Sequence, residues 1–579
     1  MDTGHLRKTT KMRRMGGSVE VLRWKTMGLR LAAAQPLADP TARARLQTKG
    51  PNMSINSNRN ATMNRRAFTA GAAICALGAG AIASQAIAED GSPIVADPWA
   101  GFRASDWAGK VTQTQKADFV VVGSGASGIV AAIEAAQAGK SVIVLESQEN
   151  MGGNGMITDC CFSFGSPEME AGCAAYGITV HPSDIVRSEV ELYDYTVNPQ
   201  LWLDTISHSA DNTKWLEDNG VEFAEKTDYY GGGLGKTPTA LMWKASYFGG
   251  GESMMKPLFA KAEELGVEVK TSTRARALAT DDSGKVCGVY AETAEGAIEI
   301  EATAVILAGG GWAANADMVA EYGGYDMSIT KIDCAPGCQG DTLKMAAAIG
   351  ARQDAVARGY MFGNLVEGLS SYTLPSYHAA MWVNEKGERF CNEDCGEVCH
   401  DYTGTAVRAQ KRVYIIMSDD MVADAVASGT LDQGELDKAL DGGSEAIWHA
   451  GSAEELAEQL VWTDTLVPAL EEYEGYVAEG VDESYGKNAS YLVSFGNGGL
   501  YAFLIHQAVA LSLGGINTNR TWQVVAENGE PIEGLYAIGA DGQMVYRGLY
   551  NLNTSGGHMA TNIEGGRYSV KHALEHLFA

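Results

Sequence analysis

Three glycines and an acid carry the clearest chemistry in the chain. Gly123, Gly125 and Gly128 form G-x-G-x-x-G, and Glu146 follows 18 residues after Gly128. In this pattern the first glycine permits a tight turn and the second lets backbone approach a pyrophosphate. The third lets a helix pack on a strand, and the acid accepts hydrogen bonds from a ribose 2′-hydroxyl. A second cluster is Cys391, Cys395 and Cys399, spaced C-x3-C-x3-C and followed by His400. On a helix this spacing sets three sulfurs on one face, a partial ligand set for a 4Fe–4S cluster. The pair Cys160-Cys161, or Cys334 and Cys338, could add a fourth ligand. The spacing matches no standard ferredoxin pattern, and disulfides or buried free thiols are the ordinary alternatives in an exported protein. No C-x-x-C-H occurs, which argues against covalently attached haem.

The glycines need a strand before them and a helix after them, and the sequence supplies both. Residues 119–122 (FVVV) are a continuous apolar run, as expected for a parallel strand buried on both faces. Residues 129–138 are Ala-rich and helical, Gly139 ends them, and 142–145 (VIVL) form the next strand, so a dinucleotide site is expected here. Residues 182–219 are helical in period, and 267–279, 286–291 and 298–307 alternate like strands. Residues 231–237 (GGGLGKT) resemble a phosphate-binding loop, but Tyr230 replaces the first glycine and no clear strand precedes them. They read as a loop.

The chain has 579 residues and a formal net charge of −28. The first 88 residues hold 14 of the 44 Lys+Arg and only 3 of the 72 Asp+Glu. Within them Arg65 and Arg66 precede an Ala/Gly-rich run and then Ala86-Ile87-Ala88. That order marks a Tat-type export signal, with Met53 or Met63 as alternative starts. The run is too short and small-sided to span a bilayer. Cleavage leaves 30 basic and 69 acidic residues, a surface that repels nucleic acid and anionic membranes. The expected layout is a leader over 1–88, a first dinucleotide-domain part over 89–355, a capping domain over 356–494, and a second part over 495–579.

The βαβ unit is followed by Gly152-Gly153-Asn154, by 307–310 (LAGG), by Gly340-Asp341, by 383–390 (VNEKGERF) and by 534–541 (GLYAIGAD). In that order these segments resemble the FAD-dependent fumarate reductases, urocanate reductases and 3-ketosteroid dehydrogenases, over about 115–575. A Tat leader ahead of this layout is similar to exported gut-type flavoprotein reductases such as the cardiac glycoside reductases. The resemblance implies an α/β fold, with a Rossmann-like FAD-binding domain formed by both chain ends and an inserted α+β capping domain. It also implies that FAD lies on Gly123, Gly125, Ala126 and Gly128, with Glu146 on the adenosine ribose. Gly153, Asn154 and Gly155 would lie beside the flavin, and Gly309 and Gly539 at close backbone approaches. Asp341 and Asp541 would bond the ribityl and phosphate region, and His558, Met559 and Ala560 would approach the pyrimidine edge of the ring.

The catalytic residues of the fumarate reductases do not carry over. Where they have H-T-M-G-G this chain has 511–515 (LSLGG), and where they have N-R-L-G-G it has 553–557 (NTSGG). Thr554 thus stands in the place of a carboxylate-binding arginine, and Glu397 in that of the proton-donor arginine. A dicarboxylate loses its charge-matched partners. An enone, steroid-like substrate or aromatic acrylate is expected instead, reduced by hydride from the flavin and a proton from the protein. Resemblance to the ketosteroid dehydrogenases implicates Tyr546, Arg547 and Tyr550, with Tyr402 and His400 as second candidates. A ketosteroid-type dehydrogenase and a non-catalytic flavin electron-transfer subunit are the rival readings. With no haem of its own, such a reductase needs an external electron donor, for example a membrane-linked multihaem cytochrome in anaerobic respiration.

Overall fold

The strand Val111–Val122 ends in four residues that are buried on both faces. A strand inside a parallel sheet has no wet side, so an unbroken apolar run is what it requires. The helix that follows, Ala126–Gln137, buries its Ile129, Val130 and Ile133 against that sheet, and Gly139 leaves it at φ +74°. The computed structural model describes residues 99–579, apart from 159, 178, 229–242, 248–249, 354–358, 371–373, 398–400, 514, 543, 548–549, 551–553 and 555. The expected leader, the 231–237 loop, Cys399 and His400 lie outside the described residues.

The main sheet has eight strands, with the order Gln523–Val525, Pro531–Ala537, Gly296–Leu307, Val111–Val122, Val142–Leu145 and Glu268–Lys270. Arg274–Thr280 and Val286–Thr293 extend it from Gly296–Leu307 as an antiparallel flap. The central strands are parallel and end in register: Val122 lies opposite Leu145 and Leu307, and Leu307 opposite Ala537. The chain therefore leaves four neighbouring strands at one edge, the position where open α/β sheets bind ligands. Strands from both chain ends build this sheet, and the last helix, Gly557–Leu577, packs on Ala126–Gln137. A Cβ at Gly566 would meet Ser127 O at 2.8 Å, so the two helices approach through a missing side chain.

A second sheet of six strands has the order Thr330–Ile332, Leu500–Ser512, Val413–Ser418 and Met381–Asn384. Gly359–Val366 and Ile447–Ala450 also pair with Leu500–Ser512. This sheet reaches outside 356–494 on both sides, through Thr330–Ile332 and Leu500–Ser512. Its core holds Trp382, Ile415, Ile416 and Phe503. Beside that core, Arg389 bridges the fully buried carboxylates of Glu393 and Asp482, and Lys487 Nζ lies 3.4 Å from Glu393. The arginine of the 383–390 segment is thus a structural ion-pair hub.

The helical stretch 182–219 divides into Pro182–Leu192 and Pro199–Asp218. Asp194 and Tyr195 adopt φ +50° and +59° between them, which no helix accommodates, and Pro199 starts the second helix. Cys160–Phe162, Trp243–Tyr247 and Phe223–Asp228 form a small third sheet. Among the described residues no helix is long and apolar enough to cross a membrane.

Candidate active site

The strand ends open onto a cavity of about 1070 Å³. Pockets for small ligands and cofactors run to about 1,000 Å³, so the space suits a dinucleotide-sized group. The first or second residues after four parallel strands line it: Gly123, Glu146, Ala308 with Gly309, and Gly539.

The three motif glycines divide their work as their spacing implies. A Cβ at Gly123 would lie 2.2 Å from Ala308 O, and this residue has φ +107°. A Cβ at Gly128 would lie 2.1 Å from Gly123 O, closing helix onto turn. At Gly125 the nearest atom would be Gly152 O at 3.8 Å, leaving its backbone open to the cavity. Ala126 begins the helix there, so unpaired N–H groups and the positive end of the helix dipole meet any bound phosphate.

Glu146 is buried directly after the strand Val142–Leu145. Its Oε2 accepts from Ser124 N at 3.1 Å and Ser124 Oγ at 2.6 Å, and its Oε1 from Gln148 N at 2.9 Å. Asn154 braces three segments: its Nδ2 donates to Ala510 O at 2.9 Å and its Oδ1 accepts from Ala335 N at 2.7 Å. Gly153 and Gly155 line the wall beside it. Asp341, at the first turn of the helix Asp341–Ala348, holds Arg274, whose Nη2 lies 3.0 Å from Oδ1. That hydrogen bond raises the Arg274 guanidinium further.

Asp541 stands behind the wall rather than in the cavity. Its fully buried carboxylate accepts from Gly309 N at 2.6 Å and Gly311 N at 2.8 Å, tying the glycine turn to the C-terminal segment. Burial pushes its carboxyl up to about 6 against the pull of those amides. Asp541 is thus engaged with the backbone of Gly309 and Gly311, behind the residues that line the cavity. Ala560 likewise stands behind Met559, which does line the cavity.

At the opposite end Leu511, Tyr550, Gly556, His558, Met559 and Asn562 meet. His558 Nδ1 and Asn562 Oδ1 are buried without a hydrogen-bond partner. Burial lowers the His558 imidazole to about 4, so it is neutral near pH 7. Orphaned polar atoms beside a helix N-terminus suit the polar edge of a flavin ring.

Of the four expected catalytic side chains, only Tyr550 lines the cavity. Tyr546 is fully buried one layer back, with its ring 5.2 Å from Tyr550 and edge-on to Trp202 at 5.5 Å. Its hydroxyl has no partner, and burial pushes the phenol well above its usual range. Arg547 and Tyr402 are absent from the lining, Tyr402 lying on the helix Asp401–Arg408. Sequence reasoning missed Glu189. From the helix Pro182–Leu192 it reaches Thr554, whose Oγ1 donates to its buried carboxylate. No local motif announces a contact made across 365 residues.

The iron–sulfur expectation finds no site among the described residues, where no group of three His, Cys, Asp or Glu is placed to hold a metal. Without a metal, burial raises the Cys391 thiol and pushes Cys395 up to about 11, so both stand as protonated thiols near pH 7.

Residues 118–556 match the family described as FAD binding domain. The chain is 30% identical to the vinyl phenol reductase of Lactiplantibacillus plantarum over 491 residues, covering 79% of this chain and 96% of that protein. It is 27% identical to the urocanate reductase of Eggerthella lenta over 463 residues, covering 76% and 73%. Among solved structures, the open form of a flavocytochrome c3 fumarate reductase superposes with a TM-score of 0.62 at 23% identity, covering 81% of this chain and 80% of that one. A 3-ketosteroid-Δ4-(5α)-dehydrogenase from Rhodococcus jostii gives 0.63 at 24% identity, covering 81% and 99%. This chain belongs to the FAD-binding domain family and is an FAD-dependent oxidoreductase.

Proposed function

We propose that this enzyme reduces the activated C=C bond of an aromatic or enone substrate, of the vinyl phenol or aryl acrylate kind, and not that of a dicarboxylate. The observation that carries this reading is the absence of a free cation from the described lining of the cavity. Thr554, in the place of a carboxylate-binding arginine, is bonded to the buried acid Glu189, and Leu511 stands in the place of the histidine. Among the described lining residues Arg274 is the only Lys or Arg, and Asp341 already holds it. A described lining with no free cation, with a threonine and a leucine where the cationic partners of a carboxylate would stand, disfavours a dianion and suits a neutral or phenolic ring. The vinyl phenol reductase relative supports the same class.

Bound FAD supplies the hydride. Gly125, Ala126 and Ser127 present backbone to its phosphates, Glu146 takes the ribose hydroxyls, and Asn154 fixes the wall segments 335 and 510. The hydroxyl of Tyr550 gives the proton to the neighbouring carbon, while Tyr546 positions the Tyr550 ring from behind. The chain is exported by its Tat-type leader and takes electrons from an external carrier, for example a membrane-linked multihaem cytochrome.

The test is anaerobic. Enzyme with chemically reduced flavin is mixed with 4-vinylphenol, an aryl acrylate, a cyclic enone, urocanate and fumarate, and flavin reoxidation is followed. Rapid reoxidation by the aromatic alkenes or the enone, but not by fumarate, supports the reading. Reoxidation by fumarate alone, or activity only in dye-linked oxidation of saturated substrates, overturns it.

A further inference from the structure

A second, much smaller cavity lies in the other sheet, away from the cofactor wall. It measures about 60 Å³ and is lined by Ser328, Lys411, Arg412, His506 and Gln507 together with apolar neighbours. Gln507 sits mid-strand in Leu500–Ser512, opposite Thr330 on one side and Asn364 on the other. It is 1% exposed, and neither its Nε2 nor its Oε1 has a hydrogen-bond partner. Buried amides are nearly always paired, so an orphaned one at the bottom of a cavity marks a missing partner. At the mouth Lys411 and Arg412 are exposed. Of the nearby acids, Asp326 accepts from Ser328 N at 2.9 Å and Ser328 Oγ at 2.7 Å and interacts with the charge of Lys411, and Glu367 lies 3.4 Å from Lys331 Nζ, which leaves Arg412 as the main cation of the mouth. In a chain of net charge −28, this is a basic mouth over an unsatisfied polar floor.

We infer that this cavity binds a small protonated oxyanion of the hydrogen phosphate or bicarbonate class, with Gln507 reading its acceptor and its O–H together. The amide dictates the choice: Nε2 needs an acceptor and Oε1 needs a donor. Chloride and carboxylates offer acceptors only. A hydrogen-bearing oxyanion offers both, and its charge meets Arg412 and Lys411 in charge-assisted contacts. The volume exceeds the ~30 Å³ share of one water, leaving room for an anion of this size. His506 adds no competing charge, since burial and then Lys331 lower its imidazole.

The test uses the full chain loaded with FAD, so that phosphate cannot enter the pyrophosphate site. Phosphate, bicarbonate, acetate and chloride are titrated by calorimetry at constant ionic strength. The expected result is saturable binding of phosphate or bicarbonate, the two arms telling which, with acetate and chloride at least about tenfold weaker. Arg412→Gln should weaken oxyanion binding about tenfold and Gln507→Leu should abolish it. If Gln507→Leu does not fold, Arg412→Gln decides alone. Absence of saturable binding, an equal response to acetate, or unchanged binding in Arg412→Gln overturns the inference and leaves the cavity to water.

Discussion

Thr554 and Glu189, 365 residues apart, share a hydrogen bond in which the threonine hydroxyl donates to a fully buried carboxylate. The pair fixes the segment before the last helix to the helix Pro182–Leu192. An ionised Glu189 about 10 Å from a bound substrate would, at an effective dielectric near 20, contribute between one and two kcal/mol, or roughly tenfold in rate. Glu189→Gln should therefore raise kcat/KM for an anionic aryl acrylate relative to a neutral vinyl phenol by about tenfold. The ratio measured on both substrates checks this, and an unchanged ratio removes Glu189 from substrate selection.

The motif glycines should separate in mutagenesis. At Gly128 a Cβ would meet Gly123 O at 2.1 Å, so Gly128→Ala should destabilise the protein by about 1–3 kcal/mol whether or not cofactor is present. At Gly125 nothing lies within 3.8 Å, so Gly125→Ala should fold normally and weaken FAD binding through the methyl group placed in its path. Thermal unfolding of both variants, with FAD affinity by fluorescence, tells the two apart. Equal loss of stability in both would contradict the division of roles.

This contrast shows what was legible in the sequence. Strand, glycine turn, helix, strand and acid are contiguous, so periodicity and spacing alone locate Gly123 to Glu146 and the wall they form. The position of Asp541 was legible, but its partners were not. Its oxygens face Gly309 and Gly311 because the sheet brings residues over 200 positions apart into register. Tyr546 and Tyr550 lie four apart in one loop and looked equivalent. Packing against Trp202 and Tyr193 buries the first and leaves the second on the cavity. The extent of the second sheet is not legible because Leu500–Ser512 pairs in it along its whole length while its Ala510 and Leu511 also line the cofactor cavity.

The tyrosine distinction has a kinetic consequence. Tyr550→Phe removes the hydroxyl at the cavity and should slow flavin reoxidation by 10²–10⁴-fold, the usual worth of a positioned general acid. Tyr546→Phe removes a hydroxyl that has no partner, so reoxidation should stay within a few-fold of wild type and the melting temperature should hold or rise. Stopped-flow reoxidation of both variants, each with flavin content verified, checks this. A larger loss in Tyr546→Phe than in Tyr550→Phe would reverse the assignment.

Asp541 should imprint a pH dependence on stability. Its folded carboxyl is raised from 3.8 to about 6, chiefly by burial. Between those values the folded state holds a proton that the unfolded state has released, so the unfolding free energy falls as pH rises through the window. The stabilisation is complete below the unfolded value, is lost as pH passes the folded one, and is constant above it. A shift of about two units corresponds to about 3 kcal/mol. Asp541→Asn cannot titrate, so the stability difference between wild type and variant isolates this group from all others. Urea unfolding of both at matched flavin content should show wild type losing about 3 kcal/mol relative to the variant from pH 3.5 to pH 7. The variant starts lower, because the Asn amide sets an N–H against one of the two backbone donors of Gly309 and Gly311. A difference that does not change with pH would mean that the folded carboxyl titrates where the unfolded one does, and a difference that moves in favour of wild type as pH rises would mean that the Gly309 and Gly311 amides hold it ionised.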